Sequence, residues 1–263
     1  MKNISSRIGA RLKRVFNDPF ARIRKLPRYT PGEVVIKGNR IAFPDAPSFM
    51  AIYDEIFDKH VYRFLSPQPA PLIIDCGANI GISTIYFKQL YPQSRVIAFE
   101  PDAAIYAYLE KNVAAMQAQG VTLVNKGVWS EDKELEFLSE GADSGKVASG
   151  HEKTEGKTTR IKVERLSTYI NEKVAFLKID IEGAELEVLK EIEHKLPLVE
   201  NIFIEYHSFE NREQDLDQIL RILTRQGLRY YIYAPTTLRN QPFVDKASYN
   251  TMDGMLNICA SRS

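Results

Sequence analysis

Cysteine is scarce in this sequence, which argues against a disulfide-stabilised fold and against a zinc-binding domain. Cys76 and Cys259 are the only two cysteines in 263 residues. Both lie in stretches predicted as strands, without the paired spacing of a zinc site. The sequence therefore predicts neither a disulfide framework nor a zinc domain, and a reducing compartment suits the two thiols. We expect a cytoplasmic protein.

Long apolar runs and a large excess of one charge are also missing. No segment approaches the ~20 apolar residues that a membrane span needs, and the N-terminus lacks the apolar core of a secretory signal. The formal net charge of +1 argues against a dedicated nucleic-acid-binding protein. With 44% hydrophobic residues, the chain can bury a sizeable core, so the composition indicates a globular protein.

The charge balance has a local exception at the N-terminus. Residues 7–28 contain eight basic residues and one acid, Asp18. Apolar residues at helical spacing over residues 4–16 predict a basic amphipathic helix. This segment is either a solvated arm or a surface for a partner or an anionic membrane, in which case the protein is peripheral at the inner face of the membrane.

Prolines separate an N-terminal extension, residues 1–66, from a main domain, residues 67–263. Within the extension, residues 34–43 predict a hairpin that turns at Gly38 and Asn39. Residues 48–64 predict a helix that is capped by Ser48 and lies over the entrance to the main domain.

From Leu72 onward, strand patterns alternate with helix patterns, as a parallel sheet with helices on both faces requires. The last two strands are joined without a helix, which predicts an antiparallel finish. Residues 131–166 interrupt the alternation with two stretches predicted to pair, ELEFL and TTRIKVERL. Between them, the polar residues 139–157 are either disordered or a mobile lid.

The stretch LIIDCGANIG, from Leu72 to Gly81, predicts a strand, a tight turn and the start of a helix. Such a turn leaves backbone N–H groups facing a crevice at the carboxyl edge of the sheet. Two glycines of the dinucleotide pattern G-x-G-x-x-G are absent, so a pyrophosphate ligand is disfavoured. The turn suits a ligand with a carboxylate and a sulfonium, and Asn79 occupies a place that tolerates left-handed backbone.

Glu100 ends the next predicted strand, 19 residues beyond Gly81. An acid at this place can accept hydrogen bonds from both hydroxyls of a ribose. The alternative for Asp75 and Glu100 is a purely structural role, as caps of a turn or helix.

Five motifs in order resemble the FkbM family of S-adenosylmethionine-dependent methyltransferases. They are IDCGANIGIST, VIAFEPD, NKGVWSED, LKIDIEGAELEVL and IFIEYH. The resemblance implies an α/β fold of the class I methyltransferase (Rossmann-like) type, with a seven-stranded, mostly parallel sheet and an antiparallel last strand. It also implies S-adenosylmethionine as cofactor and O-methylation as the usual chemistry.

The resemblance also assigns cofactor-binding roles to particular residues. The methionine end would be cradled by Asp75, Gly77, Ala78, Asn79 and Gly81. Ser83 would bind its carboxylate and Glu100 its ribose, while Asn125, Gly127 and Val128 would border the adenine. Trp129 either stacks near that ring or packs in a core.

Methyl transfer to a hydroxyl is an in-line displacement that needs alignment and a proton acceptor. Four candidates follow the two predicted strands on the acceptor side: Asp180, Glu182, Glu205 and His207. We favour His207 as general base, with a pKa suited to neutral pH. The alternatives are helix capping by Asp180 and Glu182, and structural roles for Glu205 and His207.

The same strand ends offer a possible metal site. Asp180, Glu205 and His207 are candidate ligands of a divalent cation, which would lower the pKa of the acceptor hydroxyl. Lys178 and Glu185 are predicted at the surface or as supporting groups. Four tyrosines either line an acceptor pocket or simply pack at half-buried positions: Tyr53, Tyr62, Tyr86 and Tyr206.

The sequence thus predicts an O-methyltransferase for a small-molecule, sugar, glycan or natural-product hydroxyl, with a place in polysaccharide biosynthesis by analogy. One alternative is a non-catalytic cofactor-binding scaffold or regulator. Another is a methyltransferase for protein or nucleic acid, which the near-neutral charge disfavours. IEGA stands where base-methylating enzymes carry an Asn/Asp-Pro-Pro-aromatic tetrapeptide. A dehydrogenase is the third alternative.

Overall fold

The computed structural model describes residues 20–139, 145–147, 157–210, 212–236, 241, 243–244 and 252–262. The helix predicted over residues 4–16 and most of the predicted lid, residues 139–157, lie outside these ranges. Among the described helices, none has the length and apolar character needed to cross a bilayer.

Thirteen strands and five α-helices follow one another in the described chain. The strands are β1 Gly32–Ile36, β2 Asn39–Phe43, β3 Leu72–Cys76, β4 Arg95–Phe99, β5 Val121–Val124, β6 Gly127–Trp129, β7 Lys133–Ser139, β8 Gly145–Val147, β9 Lys157–Arg165, β10 Phe176–Ile179, β11 Asn201–Phe209, β12 Arg229–Tyr233 and β13 Met252–Ser261. The helices are α1 Ala46–Tyr53, α2 Ile82–Leu90, α3 Ala103–Ala115, α4 Glu185–Glu191 and α5 Leu216–Arg225.

The central sheet has seven strands in the order β12-β13-β11-β10-β3-β4-β5. Strands β3, β4, β5, β10 and β11 are parallel, and β13 runs antiparallel between β11 and β12. The chain adds β4 and β5 on one side of β3, and β10 then pairs with the other side of β3. A crevice therefore opens between β3 and β10 at their carboxyl ends. The predicted class I methyltransferase fold is confirmed.

Both faces of this sheet are covered by apolar packing, because its strands are rich in buried Ile, Leu, Val and Phe. Helices α4 and α5 pack one face, where Leu189 and Leu223 join Leu177 and Ile204 in one cluster. Helix α2 and the N-terminal extension cover the other face. The central sheet is therefore held between two apolar clusters.

The N-terminal hairpin and helix form where the sequence predicts them, with shifted boundaries. The hairpin turns at Lys37 and Gly38, both with positive φ, because Ile36 already pairs with Asn39. Helix α1 begins at Ala46 rather than near Ser48, since the Asp45 carboxylate caps it by accepting from the Ser48 N–H at 3.0 Å. It ends at Tyr53 and continues as a π-helical turn, Asp54–Asp58, so the predicted helix over 48–64 is too long.

The extension shares its core with the main sheet. Phe43 and Phe49 pack in one cluster with Ile73, Phe176 and Phe203 of the central strands. Residues 20–66 therefore contribute a layer of packing over this face of the sheet.

Two of the basic residues in this layer are neutralised within the chain. Arg24 lies 3.2 Å from Asp54, and Arg28 lies 3.5 Å from Asp45. The contact of residues 7–28 with a membrane surface stays a prediction.

A second sheet, in the order β6-β9-β7-β8, interrupts the alternation of strands and helices. Strands β7 and β9 are antiparallel, with Lys133 opposite Val163, which confirms the pairing of ELEFL with TTRIKVERL. Trp129 packs against Phe137 and Ile161 in the core of this sheet. The packing alternative for this tryptophan therefore agrees with the structure.

Candidate active site

The turn after β3 is closed by its own hydrogen bonds. Gly77 and Ala78 donate their N–H groups to the Phe99 carbonyl at 3.1 and 2.8 Å, and Gly81 donates to the Ala78 carbonyl at 2.8 Å. Asn79 donates to Glu100 Oε2 at 3.0 Å. The N–H groups of these turn residues therefore have acceptors, contrary to the prediction, whereas α2 begins without a side-chain cap.

The turn has the backbone shape that its sequence predicts. Gly77, Asn79 and Gly81 have φ of +83°, +49° and +90°. A Cβ atom at Gly77 would lie 1.9 Å from the Asp180 carbonyl oxygen, so the two strand ends approach as closely as glycine permits. Only glycine fits there, since a side chain would push β3 and β10 apart.

Asp75 is fully buried at the base of the turn. Its Oδ2 accepts from the Ser83 and Thr84 hydroxyls at 2.6 and 2.9 Å, whereas its Oδ1 has no hydrogen-bond partner. Ser83 is itself buried and donates to this carboxylate. In this structure, Ser83 therefore supports Asp75 and is not a free donor for a ligand carboxylate.

Glu100 and Asn125 close the other side of the crevice. Glu100 Oε1 accepts from the Asp102 N–H at 2.8 Å, and burial raises the pKa of this carboxyl to about 7. Asn125 donates to the Glu100 carbonyl at 2.8 Å, which fixes the chain after β4. Gly127 and Val128 belong to β6 of the second sheet rather than to the end of β5.

Lys178 is buried at the centre of the site, so of the two positions predicted for it, the structure shows the supporting one and not the surface one. Its Nζ donates to the Gly77 carbonyl at 2.7 Å and lies 3.1 Å from Asp180 Oδ2 and 3.7 Å from Asp75 Oδ1. Burial alone lowers the pKa of a lysine, but the Asp180 and Asp75 carboxylates outweigh it here and raise the pKa. The ammonium thus ties the turn to the end of β10.

The strand register places the site residues in one row across the sheet. Ile179 pairs with Cys76 and Ile204, and Cys76 pairs with Phe99. The residues that follow these therefore lie side by side, three of them directly after β3, β4 and β10 and one, Glu205, within β11. Two more residues extend the row, because Glu205 pairs with Asn257 and Asn257 with Tyr233. From one edge to the other, the row consists of Glu100, Gly77, Asp180, Glu205, Asn257 and Tyr233.

His207 is buried among carboxylates. Its Nδ1 lies 3.1 Å from Glu185 Oε1, and its Nε2 lies 3.5 Å from Glu205 Oε1 and 3.6 Å from Glu182 Oε2. Burial lowers the pKa of the imidazole, but Glu182, Glu185 and Glu205 together raise it well above the usual value. The raised pKa follows from the three carboxyl groups around the ring, and the role of His207 as general base stays a prediction.

Glu182 lies in the tight loop between β10 and α4, and Glu185 is the first residue of α4. Glu182 has a φ of +58°, and burial raises the pKa of its carboxyl to about 8. Glu185 is almost fully buried, and its Oε1 also accepts from the Gly183 N–H at 2.9 Å. It is therefore a supporting group of the site, one of the two positions predicted for it.

Three of the predicted residues can hold a metal ion. Asp180, Glu205 and His207 each offer a ligand atom, and these atoms lie within 4.8 Å of one another. The other ring nitrogen of His207 faces Glu185, an arrangement that orients metal-bound histidines in many proteins. The chemistry and spacing of this set fit a divalent cation.

The described structure adds residues that the sequence did not suggest. Glu55 accepts from Asn257 Nδ2 at 3.2 Å, and burial together with Glu205 and Asp180 raises the pKa of the Glu55 carboxyl. The only sequence signal for Asn257 is a polar residue inside an apolar strand pattern.

Of the predicted tyrosines, Tyr62 lies close to the site, with its ring 5.8 Å from Lys178 Nζ. The others make packing contacts or hydrogen bonds elsewhere. Tyr53 stacks on Phe57, and Tyr206 accepts from the Asp215 N–H at 3.3 Å.

A seven-stranded sheet of this order, with acids at the ends of β3 and β4, defines the class I methyltransferases. A family model described as the methyltransferase FkbM domain matches residues 75–230. The chain belongs to this family, and the predicted resemblance is confirmed.

Relatives from fungi and bacteria agree with this assignment. Methyltransferase sdnD of Sordaria araneosa is 31% identical over 189 residues, covering 59% of this chain and 73% of that protein. The 31-O-demethyl-FK506 methyltransferase FkbM of Streptomyces tacrolimicus is 23% identical over 221 residues, covering 70% and 84%. Among solved structures, methyltransferase FkbM of Methylobacillus flagellatus KT is 21% identical with a TM-score of 0.49, covering 77% of this chain and 46% of that chain.

Proposed function

We propose that the chain is an S-adenosylmethionine-dependent O-methyltransferase for a hydroxyl of a sugar, glycan or natural-product acceptor. The observation that carries this proposal is the row at the carboxyl edge, where Gly77 and Glu100 adjoin the carboxylates of Asp180 and Glu205. Cofactor and proton acceptor are thereby neighbours. A relative named as a 31-O-demethyl-FK506 methyltransferase supports an oxygen acceptor.

The chemistry of the crevice fits this cofactor better than a nucleotide phosphate. The N–H groups of the turn already have acceptors, and the nearby side chains of Asp75 and Glu100 are carboxylates. Carboxylates repel a phosphate but attract the positive sulfonium of S-adenosylmethionine. When bound, this group supplies the electrophilic methyl. Its methionine end would lie against Asp75, Gly77, Ala78, Asn79 and Gly81, with Ser83 acting through Asp75.

Glu100 would hold the ribose, and its carboxylate already accepts hydrogen bonds from backbone N–H groups at the end of β4. Asn125, Gly127 and Val128 would border the adenine. Asn125 also fixes the backbone of Glu100, so this side of the crevice is formed before any ligand binds.

Asp180 and Glu205 are the groups that we assign to the proton of the acceptor hydroxyl. Asp180 follows the strand next to the turn, and its side chain is 25% exposed, so an acceptor can reach it. Lys178 holds that carboxylate in place from the buried side. A fixed carboxylate aligned with donor and acceptor meets the main demand of an in-line transfer.

We further propose a divalent cation at Asp180, Glu205 and His207, with Glu182 beside them. One nitrogen ligand among oxygen ligands suits Mn²⁺ or a similar ion. Its chemistry there would be to favour loss of the hydroxyl proton. Glu185 would hold the imidazole with Nε2 directed at the ion, because it bonds the other ring nitrogen.

The proposed activity is tested with labelled S-adenosylmethionine and a glycan or lipid extract. Wild type should label an acceptor, whereas Asp180→Asn should lose at least about 100-fold in rate, the usual contribution of a proton acceptor. Calorimetry with S-adenosylhomocysteine should show unchanged binding in that variant. Glu172→Gln is the matched control, because this exposed acid pairs with Arg95 away from the site.

Two outcomes would contradict the proposal. Label in no acceptor would favour a non-catalytic cofactor-binding scaffold. A preference for NAD over S-adenosylhomocysteine would remove the methyltransferase assignment of the crevice.

The cation is tested separately by electron paramagnetic resonance during Mn²⁺ titration. Wild type and Glu172→Gln should bind one Mn²⁺ ion, and Glu205→Gln should bind it about 10-fold more weakly or worse. Equal Mn²⁺ binding by all three proteins, or binding by none, would overturn the cation site. The assignment of the cofactor crevice would stand in either case.

A further inference from the structure

The row of site residues continues beyond the proposed chemistry, toward strand β12. Asn257 is fully buried, and its Nδ2 lies 3.2 Å from both Glu55 Oε1 and the Tyr233 hydroxyl. Its Oδ1 is buried without a hydrogen-bond partner. An unpaired buried oxygen is costly, so this place is suited to an ordered water as donor.

Glu55 reaches this place because the first helix ends in a π-helical turn, Asp54–Asp58. Such turns are rare and are frequently found at functional sites, since they redirect side chains. Glu55 is half-buried, and its burial together with the nearby carboxylates of Glu205 and Asp180 raises the pKa of its carboxyl. The N-terminal extension thereby contributes a carboxylate to the wall of the site.

Tyr231 and Tyr233 form an aromatic surface beside Glu55. Residues two apart in a strand share a face, and the two rings stack with centroids 5.8 Å apart. Tyr231 is 67% exposed, whereas Tyr233 is half-buried against Asn257. This surface therefore runs from the row at the carboxyl edge out to solvent. Tyr230 points to the opposite face of the same strand.

We propose that Glu55, Tyr231 and Tyr233 bind the acceptor, and that this acceptor is a polyhydroxylated ring of the pyranose type. The inference rests on the proposed function, whose acceptor it narrows. The C–H face of a sugar ring packs on an aromatic ring, while its hydroxyls donate to a carboxylate or a tyrosine oxygen. An aromatic surface next to hydrogen-bonding groups offers both contacts at once. A purely apolar acceptor would offer no hydrogen-bond donor to Glu55, which is only half-buried.

The test is saturation-transfer NMR with methyl β-D-glucopyranoside in the presence of S-adenosylhomocysteine. Wild type should transfer saturation to the sugar, and Tyr231→Ala should weaken its binding by roughly fivefold, the worth of one aromatic contact. Tyr231→Phe should retain the signal because it keeps the ring. Tyr230→Ala is the matched control, with the same chemical change on the other face of β12.

Each outcome separates this inference from the proposed function. Absence of transfer to the sugar, or an equal loss in Tyr231→Ala and Tyr230→Ala, overturns the acceptor surface while the cofactor still binds. Equal transfer to tetrahydropyran, which lacks hydroxyls, overturns the polyhydroxylated class. Failure of S-adenosylhomocysteine to bind wild type contradicts the proposed function itself.

Discussion

Glu100 couples the proposed cofactor site to pH. Its carboxyl accepts hydrogen bonds from the Asn79 and Asp102 N–H groups, yet burial dominates and raises its pKa to about 7. The ionised form is a better acceptor for ribose hydroxyls than the protonated form, which keeps its own hydrogen. Cofactor binding should therefore be strong above this pKa and weaken as the pH falls through it.

The first prediction concerns this weakening of cofactor binding at low pH. Between about pH 8 and pH 6, the ionised fraction of a group with a pKa near 7 falls about tenfold. The affinity of the wild type for S-adenosylhomocysteine should fall by a similar factor, measured by calorimetry at constant ionic strength. The side chain of Glu100→Gln does not titrate, so the affinity of this variant should not show this fall between pH 8 and pH 6. Identical pH profiles for both proteins would contradict the role given to Glu100.

Glu185 is the residue that holds His207. It bonds Nδ1 at 3.1 Å and the Gly183 N–H at 2.9 Å, so it fixes both the ring and the loop that carries Glu182. The amide of Glu185→Gln keeps the shape but loses the negative charge. Mn²⁺ affinity should fall about 10- to 100-fold, the usual effect of removing such a partner.

Electron paramagnetic resonance measures that fall in Mn²⁺ affinity, and calorimetry with S-adenosylhomocysteine should show unchanged cofactor binding. Glu193→Gln, a change on a partly exposed acid that pairs with Arg225, is the control. Unaltered Mn²⁺ binding by Glu185→Gln would show that His207 needs no charged support.

At the scale of elements, the turn between β3 and α2 depends on one close approach. Gly77→Ala would force a Cβ to within 1.9 Å of the Asp180 carbonyl, in a backbone with φ of +83°. We expect a loss of roughly 3 kcal/mol in the free energy of unfolding, from left-handed backbone and overpacking together. Binding of S-adenosylhomocysteine should be lost.

Gly38→Ala separates the two contributions in the Gly77 prediction. Gly38 has nearly the same φ, +87°, but no atom lies within 4 Å of its would-be Cβ. It should cost only about 1 kcal/mol and leave cofactor binding intact. Urea unfolding and calorimetry check both variants. Equal losses in the two would show that the approach of β3 to β10 is unimportant.

Local signals were sufficient to predict most elements. Asp102 caps α3 by accepting from the Ala104 N–H at 2.8 Å, and α2 begins at Ile82, directly after the turn, where the sequence predicts the start of a helix. Asn79 takes the left-handed backbone predicted for it. The end of α1 was not predictable, because its π-helical turn depends on tertiary packing and not on helix propensity.

The site was predictable only in part, because some of its residues are far apart in the sequence. Asp75, Glu100 and Asp180 follow strand patterns, and parallel strands bring such ends together. Glu55 and Asn257, in contrast, meet across 202 positions of sequence. No local pattern encodes such a contact.

The burial of Lys178 was also not predictable from local sequence. A lysine inside a strand pattern looks exposed, until the register places it opposite Asp75. The pKa of His207 likewise depends on carboxylates from two separate segments.

On the scale of the whole molecule, one buried asparagine joins the extension to the main domain. Asn112 of α3 accepts from the Ala42 N–H at 2.7 Å and donates to the Ala42 and Ile80 carbonyls at 2.9 and 2.8 Å. It thus connects the hairpin strand β2 to the cofactor turn. Together with the shared apolar core, this contact indicates that the extension and the sheet unfold as one cooperative unit.

The last prediction tests that cooperativity. Asn112→Ala leaves three buried backbone groups without partners and should cost roughly 3 kcal/mol in the free energy of unfolding. Asn171→Ala, which removes an exposed turn contact to Thr168, should cost less than about 1 kcal/mol. Trp129 lies in the second sheet, away from Asn112, so its fluorescence reports on a distant part of the fold. If the molecule is one unit, the urea transitions by Trp129 fluorescence and by circular dichroism will shift together in Asn112→Ala. Separate transitions would contradict a single cooperative unit, because one part of the fold would then unfold while another remains folded.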